Sequence, residues 1–452
     1  MNSTHFENVT WTSRWVFFFA ATAGAVGLGN IWNFPFVMAE NGGLAFIAIY
    51  LLCVLCMGVP MMLAEVAIGH IGRANPVTAL KVTAARSRTS KHWAHVGYIG
   101  LLAGLFIFVM LTVVASWSLS YLIEIYRGDF IDIGQSQVAA SFSRIKSDVD
   151  SLFLYQTAFI GAAVFILGFG INKGLARGLL YLVPMSIIVL LILLYHSANN
   201  GFFDESVAYL FNYDPNKVSI HSFLLAFEHA FYTLSIGVGS LMVFGSYLPK
   251  KGSIGPIVLS VAMVDIIISG LVGLVILPTL LLSQVELASG YDLLFIALPT
   301  AFGDMLGGQY LAVLFFIFVI LTALSSALVL LEPSIAWCSE QFSTGRWGAV
   351  VLVGFIAWLI TLASFEHWSY IDDISGSDNT LFDLLNFVTA KIILPFAGLM
   401  LAIYAGWFLK PNLVKDEMVI SGIGWLYLWY FLMRFTIPSL FVLVLILNQL
   451  DY

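Results

Sequence analysis

The chain has 452 residues, of which 60% are hydrophobic and only 10% charged, with a mean hydropathy of +0.95. Soluble domains carry about 25% charged residues, so this composition excludes one and implies an all-α polytopic membrane protein. The formal net charge of -7 matters less here than where the charges lie.

In chain order, eleven apolar segments are each long enough to cross a hydrocarbon core of roughly 30 Å. They run near residues 14–38, 43–69, 96–126, 153–170, 176–195, 222–247, 255–283, 309–338, 347–364, 383–408 and 421–447. No basic leader or A-x-A-like site precedes Trp15, and the first apolar run is too long for a signal peptide, so the expectation is that nothing is removed. With the N-terminus inside, inner loops and segment ends hold 13 Lys and Arg residues, among them Arg14, Arg73, Lys250, Lys251 and Arg346; the outer loops hold 4, Arg127, Arg144, Lys146 and Lys217. Lys391 and Arg434 fall inside segments. This asymmetry predicts a cytoplasmic N-terminus and, with an odd segment count, an extracytoplasmic C-terminus. Outer loops lack N-x-[ST], whereas Asn2 and Asn8 carry it in the inner tail, which favours a bacterial-type chain in the cell membrane. Cys53, Cys56 and Cys338 lie in or at the end of apolar segments and are read as reduced packing residues.

The first segment is interrupted. Thr22 to Pro35 reads T-A-G-A-V-G-L-G-N-I-W-N-F-P, placing three poor helix formers and a polar Asn30 at mid-membrane depth. Unpaired backbone groups in hydrocarbon cost several kcal/mol each, so a break survives there only where protein, water or a ligand supplies partners. The sixth segment repeats the pattern in Thr233-Leu-Ser-Ile-Gly-Val-Gly-Ser240. One G-x-G in a membrane helix usually reflects close packing. Two at matched positions of successive five-segment halves are what an inverted-repeat transporter predicts. The halves would span about 14–195 and 222–408 of a single transporter domain, with an extra helix at 421–447.

These residues carry a family resemblance. Trp11-Thr-Ser-Arg14, the A-G-A-V-G-L-G-N-I-W-N-F-P motif, E-N-G-G at 40–43, P-x-x-x-x-E from Pro60 to Glu65, T-L-S-x-G-x-G in the sixth segment and L-S-S in the eighth resemble the neurotransmitter:sodium symporters, the LeuT-like group. Eleven segments resemble its bacterial branch, the branch of the multi-hydrophobic amino acid transporter. Paired helix breaks are described for this very family, so the pairing is consistent with the resemblance rather than independent of it. The resemblance implies sodium-coupled uptake of an amino acid by alternating access, with broken helices 1 and 6.

By the same resemblance, one sodium ion is held by Ala25, Asn30, Thr233 and Asp265, and a second by Ala23, Val26, Thr322, Ser325 and Ser326. The two serines fit a packing role bonded to their own helix equally well. The substrate carboxylate meets the N–H groups of Leu28 and Gly29, at the start of a half-helix whose dipole favours an anion. Its ammonium meets carbonyls of the second break, including that of Thr233. Gly24, Ala25, Ile107, Leu111, Tyr232, Ser235, Val238, Ser326 and Leu330 complete the pocket. No charged side chain occurs among them, which favours a neutral, hydrophobic or aromatic substrate.

Several positions depart from the family. Asp265 stands where chloride-dependent members carry Asn, and Tyr50, His229 and Ser269 match the rest of the chloride pocket, with His229 in place of a usual Gln. The expectation is chloride independence, with the Asp265 carboxylate replacing the anion and available to exchange a proton on the return step; a purely structural Asp bonded to Tyr50 or His229 is the alternative. The third-segment tyrosine of the family falls on Leu111. The outer Arg–acid gate falls on Asn33 and Asn386, where a hydrogen bond would replace a salt bridge. On the inner side Trp11, Arg14, Tyr247, Glu332 and Glu340 match the cytoplasmic gate, but its usual second Arg is Asn8. Gly174 and Pro184 enclose a stretch at which the family unwinds; a Pro kink explains them as well. Glu65 is placed to accept from backbone N–H groups of the broken sixth helix.

Enzyme motifs such as H-E-x-x-H or G-x-S-x-G are missing from the sequence, with Glu228-His229 the nearest pair. An amino-acid-binding sensor or channel without concentrative transport remains the alternative reading. The expected partners are a small-molecule amino acid, two Na+ ions and the lipid bilayer, with no nucleic acid, the protein being a monomer or weak homodimer.

Overall fold

A computed structural model describes residues 10–249, 254–365, 380–418 and 423–450; Asn2, Asn8, Lys250 and Lys251, singled out above, lie outside the described residues. Among the described residues the regular elements are helices, and β pairing is limited to an isolated bridge between Gly43 and Tyr213. In lipid a helix satisfies every backbone group within its own segment, which is why the apolar runs fold this way.

In chain order the helices are α1 (Arg14–Ala25), α2 (Gly29–Glu40), α3 (Leu44–Gly72), α4 (Pro76–Ser87), α5 (Lys91–Arg127), α6 (Gln135–Ser147), α7 (Val149–Gly168), α8 (Ile171–Ala198) and α9 (Phe203–Leu210). They continue with α10 (Ile220–Thr233), α11 (Ser240–Ser246), α12 (Gly255–Leu282), α13 (Gly290–Gly303), α14 (Gly308–Phe342), α15 (Arg346–Ala363), α16 (Leu381–Phe408), α17 (Pro411–Met418) and α18 (Gly424–Leu447). Among the described residues nine of these are long and apolar enough to cross a membrane singly, and α1 with α2 forms a further crossing bent by 53°. The sixth expected segment is divided between α10 and α11, neither long enough alone. The sequence reading leaves 284–308 without an element, whereas α13 occupies most of it.

Caps set the boundaries. The Ser13 hydroxyl accepts from Trp15 N–H at the start of α1, and the Asn75 side chain accepts from Val77 and Thr78 N–H with Pro76 in the first helical position of α4. α8 begins with a π-type stretch, Ile171–Ala176, that contains Gly174, and Pro184 lies inside the helix that follows. Cys53 and Cys338 are buried, and all three cysteines are free.

α1 packs against α8, α12 and α14, α10 and α11 both lie against α3, and α14 runs alongside α5. The contact of α3 with α11 depends on small residues: a Cβ at Gly69 would stand 1.8 Å from the Met242 carbonyl oxygen, and one at Gly245 2.3 Å from that of Val66. Gly69→Ala therefore has to push two backbones apart. Overpacking costs about 1–3 kcal/mol or more, so the detergent-solubilised variant should melt several degrees below wild type. Equal melting temperature and yield would refute this close packing.

Candidate functional site

α1 ends where Val26 turns extended (φ -81°, ψ 96°), and α2 restarts at Gly29. Asn30 is the splint across this gap. Its Oδ1 accepts from Gly27 N–H at 3.1 Å, and its amide donates to Asp265 Oδ1 and Ser269 Oγ, each at 2.7 Å. The gap between α10 and α11 is made by Ser235, Gly237 and Gly239, with φ of 51°, 85° and 85°. Glycine adopts this left-handed conformation without steric penalty, whereas Ser235 carries strain there. Gly237 N–H, released from any helix, donates to Glu65 Oε1 at 2.6 Å.

The two gaps face each other. Ser235 Oγ donates to the Gly24 carbonyl at 2.6 Å, and Thr233 Oγ1 lies 2.8 Å from the Ala25 carbonyl, 3.1 Å from Asn30 Oδ1 and 2.7 Å from Asp265 Oδ1. One hydroxyl proton cannot serve three acceptors, so oxygens outnumber donors here, which suits a hard cation. A second oxygen cluster joins α1 to α14: Ser326 Oγ stands 3.0 Å from the Ala23 carbonyl and 3.4 Å from that of Val26, and Ser325 Oγ donates to the Thr322 carbonyl at 2.9 Å. Among the described residues no cluster of three His, Cys, Asp or Glu side chains is formed that would hold a metal ion. The donors are carbonyls, hydroxyls, an amide and one carboxylate.

Asp265 is fully buried and accepts from three groups, Tyr50 OH reaching its second oxygen at 2.7 Å. Ser269 Oγ turns back to the Asp265 carbonyl at 2.8 Å. His229 meets this cluster through its ring, 5.4 Å from Tyr50 and 4.9 Å from Phe34, and its Nε2 has no partner among the described residues.

Between the gaps lies a cavity of about 250 Å³. Gly24, Ala25, Leu28, Gly29, Ile107, Leu111, Tyr232, Thr233, Ser235, Val238, Ser326 and Leu330 all line it, together with Asn30, His229 and Asn386. The N–H groups of Leu28 and Gly29 make no hydrogen bond among the described residues. Trp32, Met110, Val114, Ile236, Tyr291, Thr389, Ala390 and Leu394 also line the cavity and were missed from sequence. Met110 and Val114 share a helix face with Ile107 and Leu111 by three- and four-residue spacing, which is a usable signal. Tyr291 sits in α13, where no element was expected, and packs on Trp32 (5.1 Å between ring centres), Trp117 and Phe382.

The model of the sodium:neurotransmitter symporter family matches residues 8–131 and 140–452. The chain belongs to this family. It is 27% identical over 443 residues, 96% of either chain, to the uncharacterised sodium-dependent transporter YhdH of Bacillus subtilis. It is 26% identical to an uncharacterised sodium-dependent transporter of Haemophilus influenzae, covering 99% of this chain and all of the relative. Among solved structures it is similar to MhsT in complex with L-phenylalanine, with 30% identity, a TM-score of 0.85 and coverage of 97% and 99% of the two chains. Sodium:neurotransmitter symporters are transporters and not enzymes, so this is a multi-pass membrane protein of the LeuT fold that couples a small molecule to sodium.

Where the family's cytoplasmic gate falls, this symporter carries a buried lattice. Trp11 N–H donates to the Tyr247 carbonyl at 2.8 Å and its indole to that of Phe244 at 3.1 Å, while Tyr247 OH donates to Glu332 Oε1 at 2.8 Å. Arg346, not assigned a gate role from sequence, grips Glu332 with its two terminal guanidinium nitrogens at 2.8 and 2.5 Å. Glu340 accepts from the Asn75 N–H at 2.9 Å and from the Asn75 amide, bracing the start of α4. Arg14 also takes part in contacts. Asn386 lines the cavity, but no hydrogen bond joins it to Asn33 among the described residues, so the bond envisaged at the outer gate is not formed in this conformation.

Proposed function

We propose that the chain is a symporter that takes up a neutral, hydrophobic or aromatic L-amino acid with two sodium ions and without chloride. The observation that carries this reading is the cavity held between two interrupted helices whose freed backbone and hydroxyl oxygens point at one another. Two facts support the choice of substrate. None of the lining residues is Asp, Glu, Lys or Arg, and about 250 Å³ is below the roughly 300–1,000 Å³ of sites for drug-sized ligands. MhsT, similar along the whole chain, was crystallised with L-phenylalanine.

In this reading Ala25, Asn30, Thr233 and Asp265 hold one sodium, and the second lies between Ala23, Val26 and Ser326, with Thr322 and Ser325. The Leu28 and Gly29 N–H groups bind the carboxylate. The halves at 14–195 and 222–408 form inverted repeats, α10 and α11 being one crossing, which would make eleven. The N-terminus faces the cytoplasm, and the protein acts as a monomer or weak homodimer in the cell membrane. Sodium entry is driven by its concentration gradient and by the potential, about 2.3 kcal/mol per charge per 100 mV. That bias moves the first, second, sixth and seventh crossings against the third, fourth, eighth and ninth.

In sealed proteoliposomes, an inward sodium gradient should drive concentrative uptake of L-phenylalanine, and competition by a panel of the twenty amino acids should rank neutral side chains above charged ones. Uptake that equilibrates without concentrating, or ignores sodium, would leave a channel or sensor instead.

A further inference from the structure

Glu228 and Lys391 are ionisable residues placed within membrane segments, and the structure joins them: Lys391 Nζ lies 3.2 Å from Glu228 Oε1 and 3.5 Å from Oε2. At 1.5 Å per residue each is about 12–15 Å along its helix from the Ile220 end of α10 or the Leu381 end of α16. Their side chains are 21% and 36% exposed. An ion pair left partly exposed at this depth is costly against lipid and stable against water, so energetics favour water over hydrocarbon around its exposed atoms. Its neighbours belong to the cavity: His229 and Tyr232 on α10, Thr389 and Ala390 on α16. Tyr232 lies one turn beyond Glu228, and its hydroxyl donates to the Ala390 carbonyl, adjacent to Lys391. The neutral Asn386, one turn before Ala390 on α16, also lines the cavity.

We propose that the Glu228–Lys391 ion pair is a positioning clamp that holds α10 to α16 and thereby fixes Tyr232 as a wall of the substrate cavity. Neither residue touches the substrate; both act through Tyr232. The proposal rests on the transport reading above and adds two residues that set apparent affinity. A clamp of this kind controls the fit of the cavity rather than the amount of active protein, so it predicts a KM effect with little change in maximal rate.

The test is initial-rate uptake of L-phenylalanine under a sodium gradient. Glu228→Gln and Lys391→Met should each raise KM at least tenfold with maximal rate per reconstituted protein within threefold of wild type. Lys391→Arg, and the exchange Glu228→Lys with Lys391→Glu, should return KM to within threefold. Unchanged KM in the two neutral variants, or an exchange variant no better than they are, overturns the clamp. Should the neutral variants not fold, the exchange variant decides by the same threshold. If wild type shows no sodium-driven uptake, the transport reading fails separately, and the same tenfold shift is then sought in equilibrium binding of L-phenylalanine in detergent.

Discussion

Asn30→Ala should reduce sodium-driven uptake more than a hundredfold. Besides lying 3.1 Å from the Thr233 hydroxyl, the side chain serves three further partners at once: the Gly27 N–H in the gap after α1, and Asp265 and Ser269 on α12. Removing it orphans the Gly27 N–H and takes one donor from each of the others, in a place where Asn30 itself is 1% exposed. At the low end of about 1 kcal/mol for each disrupted buried group, three give about 3 kcal/mol, or more than a hundredfold. The loss should fall on ion binding rather than on the fold as a whole. A ligand that binds only the native state raises its melting temperature, so sodium should stabilise detergent-solubilised wild type and leave the variant nearly unshifted. Uptake within tenfold of wild type, or a full sodium shift in the variant, would remove Asn30 from the ion site.

How much of this was legible beforehand varies with the physics involved. The long helices were readable because hydrocarbon permits only segments that satisfy their own backbone, and apolar length reports that directly. The gap at 26–28 was readable from Gly27, Gly29 and the misplaced Asn30. α13 was not readable: it is short, follows a polar loop and is held by packing of Tyr291 and Phe295 against Trp117, a contact far apart in sequence. The Arg346–Glu332 pair escaped for a similar reason. Arg346 reads as a positive residue at an inner segment end, and only the approach of α15 to α14 reveals that it neutralises a fully buried carboxylate. The Asn33–Asn386 pairing shows the converse, since matched positions gave two polar residues but no hydrogen bond between them among the described residues.

Asp265→Asn should convert uptake that is indifferent to chloride into uptake that requires it. In wild type the carboxylate accepts from Asn30, Thr233 and Tyr50 and is bonded to no Lys or Arg among the described residues. An ionised Asp at mid-span costs roughly 2.5–3.5 kcal/mol on insertion scales, so a cation among the surrounding oxygens is its natural counter-charge. The amide keeps the shape of the carboxylate but carries no charge, leaving a bound cation without its anionic partner. An external anion would then have donors at hand: the Tyr50 hydroxyl released from the carboxylate, the Ser269 hydroxyl on turning away from the Asp265 backbone carbonyl, and His229 Nε2, which has no partner among the described residues. In chloride-free gluconate buffer the variant should retain under about a tenth of its uptake, a deficit of about 1.4 kcal/mol, and should recover as chloride is added, while wild type stays level across the same titration. A variant whose ion profile overlays that of wild type would mean that Asp265 is a structural carboxylate and that its charge has no part in balancing sodium.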